Sequence, residues 1–334
     1  MPQTHKPNVA PKPNVAPKPN VAVSIGDPNG IGPEILLKCL SDPSLANLCN
    51  IVLVGPESVL SFYKERFDLD VSFDHIEISV PDSFRVQPGH IDQDAGKVAM
   101  DAVSKAVDLC FSKKVDAMVT CPISKEAISL AGYDFPGHTE FIADRIGCSE
   151  YLMMMVSDRL RVGLVTGHIP ISQVPQGVTG EKIRATLRVM RLSLVQDFGI
   201  AKPNMAVLGL NPHAGDGGVL GCEDRDIILP EVMWAREQGF NIMGPLPADG
   251  FFGSSNWKAT DGVVAMYHDQ GLIPFKALSF GSGVNFTAGL PIVRTSPDHG
   301  TAFDIAGSFL ANESSLKKAV ECAVEIVQKR KLLT

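Results

Sequence analysis

The chain has 334 residues, 45% of them hydrophobic, enough for a large core and, at roughly 100 to 200 residues per domain, for two domains. Its formal net charge of -7 leaves no global positive field for nucleic acid or an anionic membrane surface, so an anionic ligand has to be gathered by a few local bases. Seven cysteines without Cys-x-x-Cys spacing argue against a disulfide framework or a cysteine zinc site, and the absence of a long apolar run or a signal-like amino terminus predicts a cytoplasmic protein.

The amino terminus repeats Lys-Pro-Asn-Val-Ala-Pro from Lys6 and Lys12, and a third copy from Lys18 has Val23 where proline would fall. Such proline-rich sequence predicts an extended, disordered tail over residues 1–20. A first buried strand follows at Val21 to Ile25, then the turn Gly26-Asp-Pro-Asn-Gly-Ile-Gly-Pro33, then a helix with Pro33 in its first turn and Ile35, Leu36, Leu37 and Leu40 inward. Strands at 51–54 and 117–120 flank a helix over 95–111, where Val98, Ala102, Ala106 and Cys110 form one stripe. Further strands are expected at 162–166, 205–210 and 263–267. A helix over 181–198 buries Ile183, Leu187, Met190 and Leu194. This alternation predicts an α/β fold with a largely parallel, mixed sheet: two α/β/α domains with an active-site cleft between them. The expected division is 21–128 plus 302–334 for the first domain and 129–301 for the second.

His168, His213 and His268 each stand just past the carboxyl end of an apolar strand, the place where open α/β sheets bind ligands. Each alone could simply cap a strand. Together they are candidate ligands for one divalent ion, with neutral imidazoles suited to zinc or cobalt. His5, His75 and His90 lie in tail or polar surface sequence and carry no such signal. Phe135-Pro-Gly-His-Thr-Glu140 sets His138 and Thr139 at a turn before a helix, where amides and a hydroxyl favour an anion. Lys276, Asn285 and Arg294 follow in an apolar, glycine-rich segment; they are either surface residues or the bases that fix a phosphate. The turn at 26–33 is neither G-x-G-x-x-G nor a Walker loop, and either makes a bend or sets Asp27 in the cleft. Asp249 and Asp269 are the carboxylates best placed to orient a ligand or move a proton.

Six segments in order carry a family resemblance: Gly26-Asp-Pro-Asn-Gly-Ile-Gly-Pro-Glu34, Pro136-Gly-His-Thr-Glu140, Asn211-Pro-His-Ala-Gly215, Gly244-Pro-Leu-Pro-Ala-Asp249, Tyr267-His-Asp-Gln-Gly271, and Val284 to Pro291 continuing through Arg294 to Thr301. The chain resembles the 4-hydroxythreonine-4-phosphate dehydrogenase family of pyridoxal phosphate biosynthesis, itself similar to isocitrate and isopropylmalate dehydrogenases. The resemblance implies a homodimer with shared active sites, a divalent metal (Zn, Mg or Co) on His168, His213 and His268, and substrate on His138, Thr139, Lys276, Asn285 and Arg294. It implies NAD or NADP at the loop carrying His299, Gly300, Thr301 and Asp304, with Phe303 departing from the usual proline. The implied reaction is oxidation of the C3 hydroxyl of 4-phosphooxy-L-threonine, followed by decarboxylation to 3-amino-2-oxopropyl phosphate, with Asp249 as proton acceptor. The alternatives are a paralogous dehydrogenase of 4-phospho-D-threonate or 4-phospho-D-erythronate and, from another class, a three-histidine metal hydrolase.

Overall fold

The structure is a computed structural model that describes residues 17–279 and 281–333. Its backbone is one eleven-stranded sheet: β1 (Asn20–Ser24), β2 (Asn50–Val54), β3 (Asp74–Ile76), β4 (Ala117–Thr120), β5 (Leu152–Val156), β6 (Arg161–Leu164), β7 (Asn204–Leu208), β8 (Asn241–Leu246), β9 (Gly262–Ala265), β10 (Val284–Ala288) and β11 (Val293–Pro297). In space they run β3-β2-β1-β4-β11-β10-β5-β6-β9-β7-β8. The only antiparallel pairings among the described residues join β10 to β11, β10 to β5 and β5 to β6. The sheet therefore has two parallel flanks of opposite direction, hinged on β10 and β5. β11, placed by sequence with the second half of the chain, hydrogen-bonds to β4 of the first.

The α/β architecture with a largely parallel, mixed sheet is as expected. β4, β9 and β11 are buried along their whole length, as required of strands covered on both faces. Helix Gln93–Phe111 is started by Asp92, whose carboxylate accepts from the Ala95 N–H, and it buries Val98, Ala102, Ala106 and Cys110. Thr179 caps helix Gly180–Gln196, which buries Ile183, Leu187, Met190 and Leu194. Helix Ser314–Lys331 lies against β11, β4 and β10 and accepts the Thr295 hydroxyl at Ala319 O, 2.7 Å away.

The tail expectation reaches too far. Residues 1–16 lie outside the described residues, but the third repeat copy is part of the fold. Lys18 Nζ donates to Ala46 O at 2.7 Å, the Asn50 N–H donates to Pro19 O at 2.9 Å, and Asn20 opens β1. Once its proline is replaced by Val23, the copy has the N–H and the branched side chain a strand needs. Among the described residues, no helix is long and apolar enough to cross a membrane.

Candidate active site

The sheet itself builds the best-defined part of the site. Asn285 pairs with Ser296 across β10 and β11, so Asn285, Thr287, Arg294 and Ser296 share one face, since directly opposed residues of an antiparallel pair point the same way. β4 adds Thr120 and β1 adds Ser24 to that face by parallel register. A polar stripe thus crosses the middle of an otherwise apolar sheet, opposite the face that Thr295 turns toward helix Ser314–Lys331.

Arg294 is the centre of the stripe and is 1% exposed. Its Nη1 donates to Thr287 Oγ1 at 3.1 Å and its Nη2 to Thr120 Oγ1 at 2.7 Å. Nε has no hydrogen-bond partner. Burial pulls the guanidinium down to about 10, with Glu140 opposing. His138 opens helix His138–Arg145, and burial followed by the charge of Arg294 holds its imidazole well below the usual histidine range. Thr139 is buried beside it. His138 Nε2, Asn285 Oδ1 and His299 Nε2 share with Arg294 Nε the property of being buried without a partner. More than nine in ten buried polar groups in folded proteins are paired. A buried cation and unpaired donors and acceptors on the expected ligand residues are the chemistry that a polar anion would satisfy.

The histidines lie on adjacent strands, β6, β9 and β7, three to five residues past their ends. The strands stop short of the predicted boundaries, although Val165 and Thr166 still donate to Ala265 O and Met266 O. The His168 and His268 rings are 5.4 Å apart between centroids, tilted by 45°. Burial, then Lys125, then His268 lower the proton affinity of His168, against Glu140, which keeps it in the neutral form a metal requires. His268 Nδ1 is 2.7 Å from Asp269 Oδ1, an arrangement that orients the other ring nitrogen. His213 is exposed on the loop Pro212–Gly218, where residues 213–217 all have positive φ. Asp224 anchors the start of that loop by accepting from the Leu210 and Asn211 N–H groups at 2.8 and 3.1 Å. The donors of the three histidines do not all come within 4.8 Å of one another; among the described residues only Glu57, His75 and Glu77, on the exposed β3 edge, do so. His168 and His268 thus lie side by side at the ends of β6 and β9, and His213 stands on the exposed loop that follows β7.

Lys276, in the last turn of helix His268–Ser279, lies 3.4 Å from Asp298 Oδ1. Asp249 is exposed in the first turn of helix Ala248–Gly253, which packs against the His213 loop. The loop carrying His299, Gly300, Thr301 and Asp304 is braced by the glycine turn: the Ile31 N–H donates to Thr301 O at 3.0 Å, and Gly30 abuts Thr301. Gly26 must be glycine, because its φ is +72° and a β-carbon would lie 2.4 Å from Pro122 O. Asp27, 0% exposed, accepts from the Asn29 N–H with one oxygen and has no partner for the other. Burial pushes its pKa up to about 6, against the Asn29 hydrogen bond.

Sequence reasoning missed Lys125, Glu140, Thr120, Thr287 and Asp298. Glu140 and Asp298 lie inside quoted motifs, so their signal was adjacency to His138 and His299; the threonines are ordinary strand residues until β4, β10 and β11 are paired.

Comparison with known proteins places the chain in a family. Residues 47–323 match the family described as pyridoxal phosphate biosynthetic protein PdxA. A 4-hydroxythreonine-4-phosphate dehydrogenase from Bacteroides thetaiotaomicron is 42% identical over 322 residues, covering 92% of this chain and 88% of that protein. The crystal structure of a 4-hydroxythreonine-4-phosphate dehydrogenase from Klebsiella pneumoniae superposes with a TM-score of 0.84 at 36% identity, over 93% of this chain and 100% of that one. A terephthalate 1,2-cis-dihydrodiol dehydrogenase from Burkholderia xenovorans is 32% identical with a TM-score of 0.65, over 92% and 98%.

Proposed function

The chain belongs to the pyridoxal phosphate biosynthetic protein PdxA family, and from that membership we propose that it is a cytoplasmic, NAD(P)-dependent dehydrogenase of 4-phosphooxy-L-threonine. It oxidises the C3 hydroxyl to give 2-amino-3-oxo-4-phosphooxybutanoate, which loses carbon dioxide to become 3-amino-2-oxopropyl phosphate. The observation that carries this reading is the buried Arg294, whose Nε has no partner, beside His138 and on the sheet face that carries Asn285, each of which also has an unpaired buried atom. A buried cation of this kind is stabilised by a dianionic ligand group and is costly without one.

Arg294, His138, Thr139, Asn285 and Lys276 hold the phosphate, a group that takes no part in the bond changes at C3, so their binding energy orients the C3 hydroxyl. His168 and His268 hold the divalent ion, with His213 as the third ligand. When bound, the ion would supply Lewis acidity toward the hydroxyl, and the nicotinamide would supply a hydride acceptor. Asp249 takes the hydroxyl proton. His299, Gly300, Thr301 and Asp304 form the nucleotide loop, which the glycine turn holds in place before the cofactor arrives.

The active form is a homodimer with shared sites. That the donors of the three histidines do not all come within 4.8 Å of one another in one chain supports this, as do the exposed apolar residues Ile169, Ile171, Val219, Leu220 and Ile273 on the histidine-bearing segments. The two-domain division at 128/129 and 301/302 belongs to the same reading. The relative that acts on a terephthalate dihydrodiol shows that this fold serves more than one substrate, so 4-phospho-D-threonate is the competitor to test. NADH formed from 4-phospho-D-threonate and not from 4-phosphooxy-L-threonine selects that paralogous activity; phosphate released without NADH selects a hydrolase.

A further inference from the structure

Asp298 stands where three parts of the proposed site meet. It follows β11, four residues after Arg294 and directly before His299. Its main chain is fixed: the Asp298 N–H donates to Ser315 Oγ at 3.1 Å, and the Ser315 hydroxyl donates to Gly283 O at 3.1 Å. Its side chain lies against Gly283, where a β-carbon would be 3.0 Å from Asp298 Oδ2. The carboxylate is 20% exposed, and its ion-pair partner is Lys276 Nζ at 3.4 Å. Lys276 is 56% exposed on a flexible four-carbon stem at the end of its helix. A partly buried anion on an anchored main chain therefore pairs with an exposed cation on a flexible stem.

We propose that Asp298 is a positioning residue for substrate capture, holding the Lys276 ammonium over the phosphate pocket before the substrate arrives. This rests on the reading of Lys276 as a phosphate ligand. Ordering one long side chain costs about 0.5–1.5 kcal/mol on binding, which corresponds to a roughly 2- to 10-fold loss of affinity when the tether is removed. The opposing effect of Asp298, one negative charge near an anionic ligand, would be relieved by the same substitution, so the direction of the change decides between tether and repulsion. Burial, opposed by Lys276, His299 and His268, raises the proton affinity of Asp298.

The test is a double-mutant cycle in the full-length, metal-loaded enzyme with NAD and 4-phosphooxy-L-threonine. Asp298→Asn keeps the shape and should raise the KM for the phosphorylated substrate about 2- to 10-fold, leaving the KM for NAD unchanged and kcat within about two-fold. In a Lys276→Met background it should change nothing further. Asp298→Glu, which keeps the charge, should recover most of the affinity and keeps the test open if the asparagine variant folds poorly. An unchanged or lowered KM in Asp298→Asn, an equal rise in both backgrounds, or a collapse of kcat in both would overturn the proposal. If Lys276→Met alone leaves KM unaltered, the phosphate reading of Lys276 fails and the proposal falls with it; if only the Asp298→Asn effect is missing, that reading stands and the tether alone is refuted.

Discussion

Arg294 keeps its proton at neutral pH even with its pKa drawn down to about 10, and its two threonine partners supply oxygen atoms but no countercharge. Replacing such a residue with an apolar one of similar length should separate function from stability. Arg294→Met is expected to lower kcat/KM by about 100-fold or more, since a charge-assisted, desolvated contact is lost. Its unfolding free energy should stay within about 1 kcal/mol of wild type or rise, because a buried unpaired charge has gone; denaturant unfolding alongside kinetics reads both. Asp27 gives a pH dependence of definite sign. Its pKa rises from 3.8 to about 6 in the fold, so between those values the unfolded chain has released a proton that the folded chain still holds. Its contribution to stability is complete below 3.8 and is lost as pH rises through about 6. Measured from pH 4 to 7, Asp27→Asn should gain on wild type by up to about 3 kcal/mol. Parallel curves would show that burial does not perturb this carboxyl.

The strands and helices that sequence reasoning recovered are those whose pattern is local. Ile183, Leu187, Met190 and Leu194 recur at helical spacing and are buried on helix Gly180–Gln196; Val21 to Val23 and Ala117 to Val119 are continuous apolar runs inside the buried strands β1 and β4. β11 was not legible. It reads Val-Arg-Thr-Ser-Pro, and only pairing with β4 and β10 explains a buried arginine there. The histidines were found by their place after apolar strands, yet the convergence of His168 with His268 depends on β6 lying beside β9, a contact across 100 residues of chain. Likewise the glycine turn was readable as a bend, but not as a brace for the loop at 299–304. That brace makes a prediction at the level of the element. Gly26→Ala meets both a positive φ and the Pro122 carbonyl, so it should cost about 3 kcal/mol or more. If the turn holds the nucleotide loop, the surviving enzyme should also show a raised KM for NAD with little change for the phosphorylated substrate. Unfolding curves and paired KM values check the two halves separately.

Across the molecule, the opposed flanks of one sheet bring residues from β4, β6, β9, β10 and β11 to neighbouring positions, while β7 delivers His213 on a loop of its own. A homodimer that completes the site should be visible by light scattering. Val219→Asp with Ile171→Asp, at positions 81% and 71% exposed, should shift it to monomer and abolish turnover together; a fully active monomer would show that each chain completes its own site. The central claim is tested most directly by incubating the purified protein with NAD, a divalent cation and 4-phosphooxy-L-threonine and following NADH absorbance. The expected result is NADH formation that requires the substrate and the cation, stops on chelation and is lost in Arg294→Met. Phosphate release without NADH, or NADH formation indifferent to the phosphate group of the substrate, would contradict it.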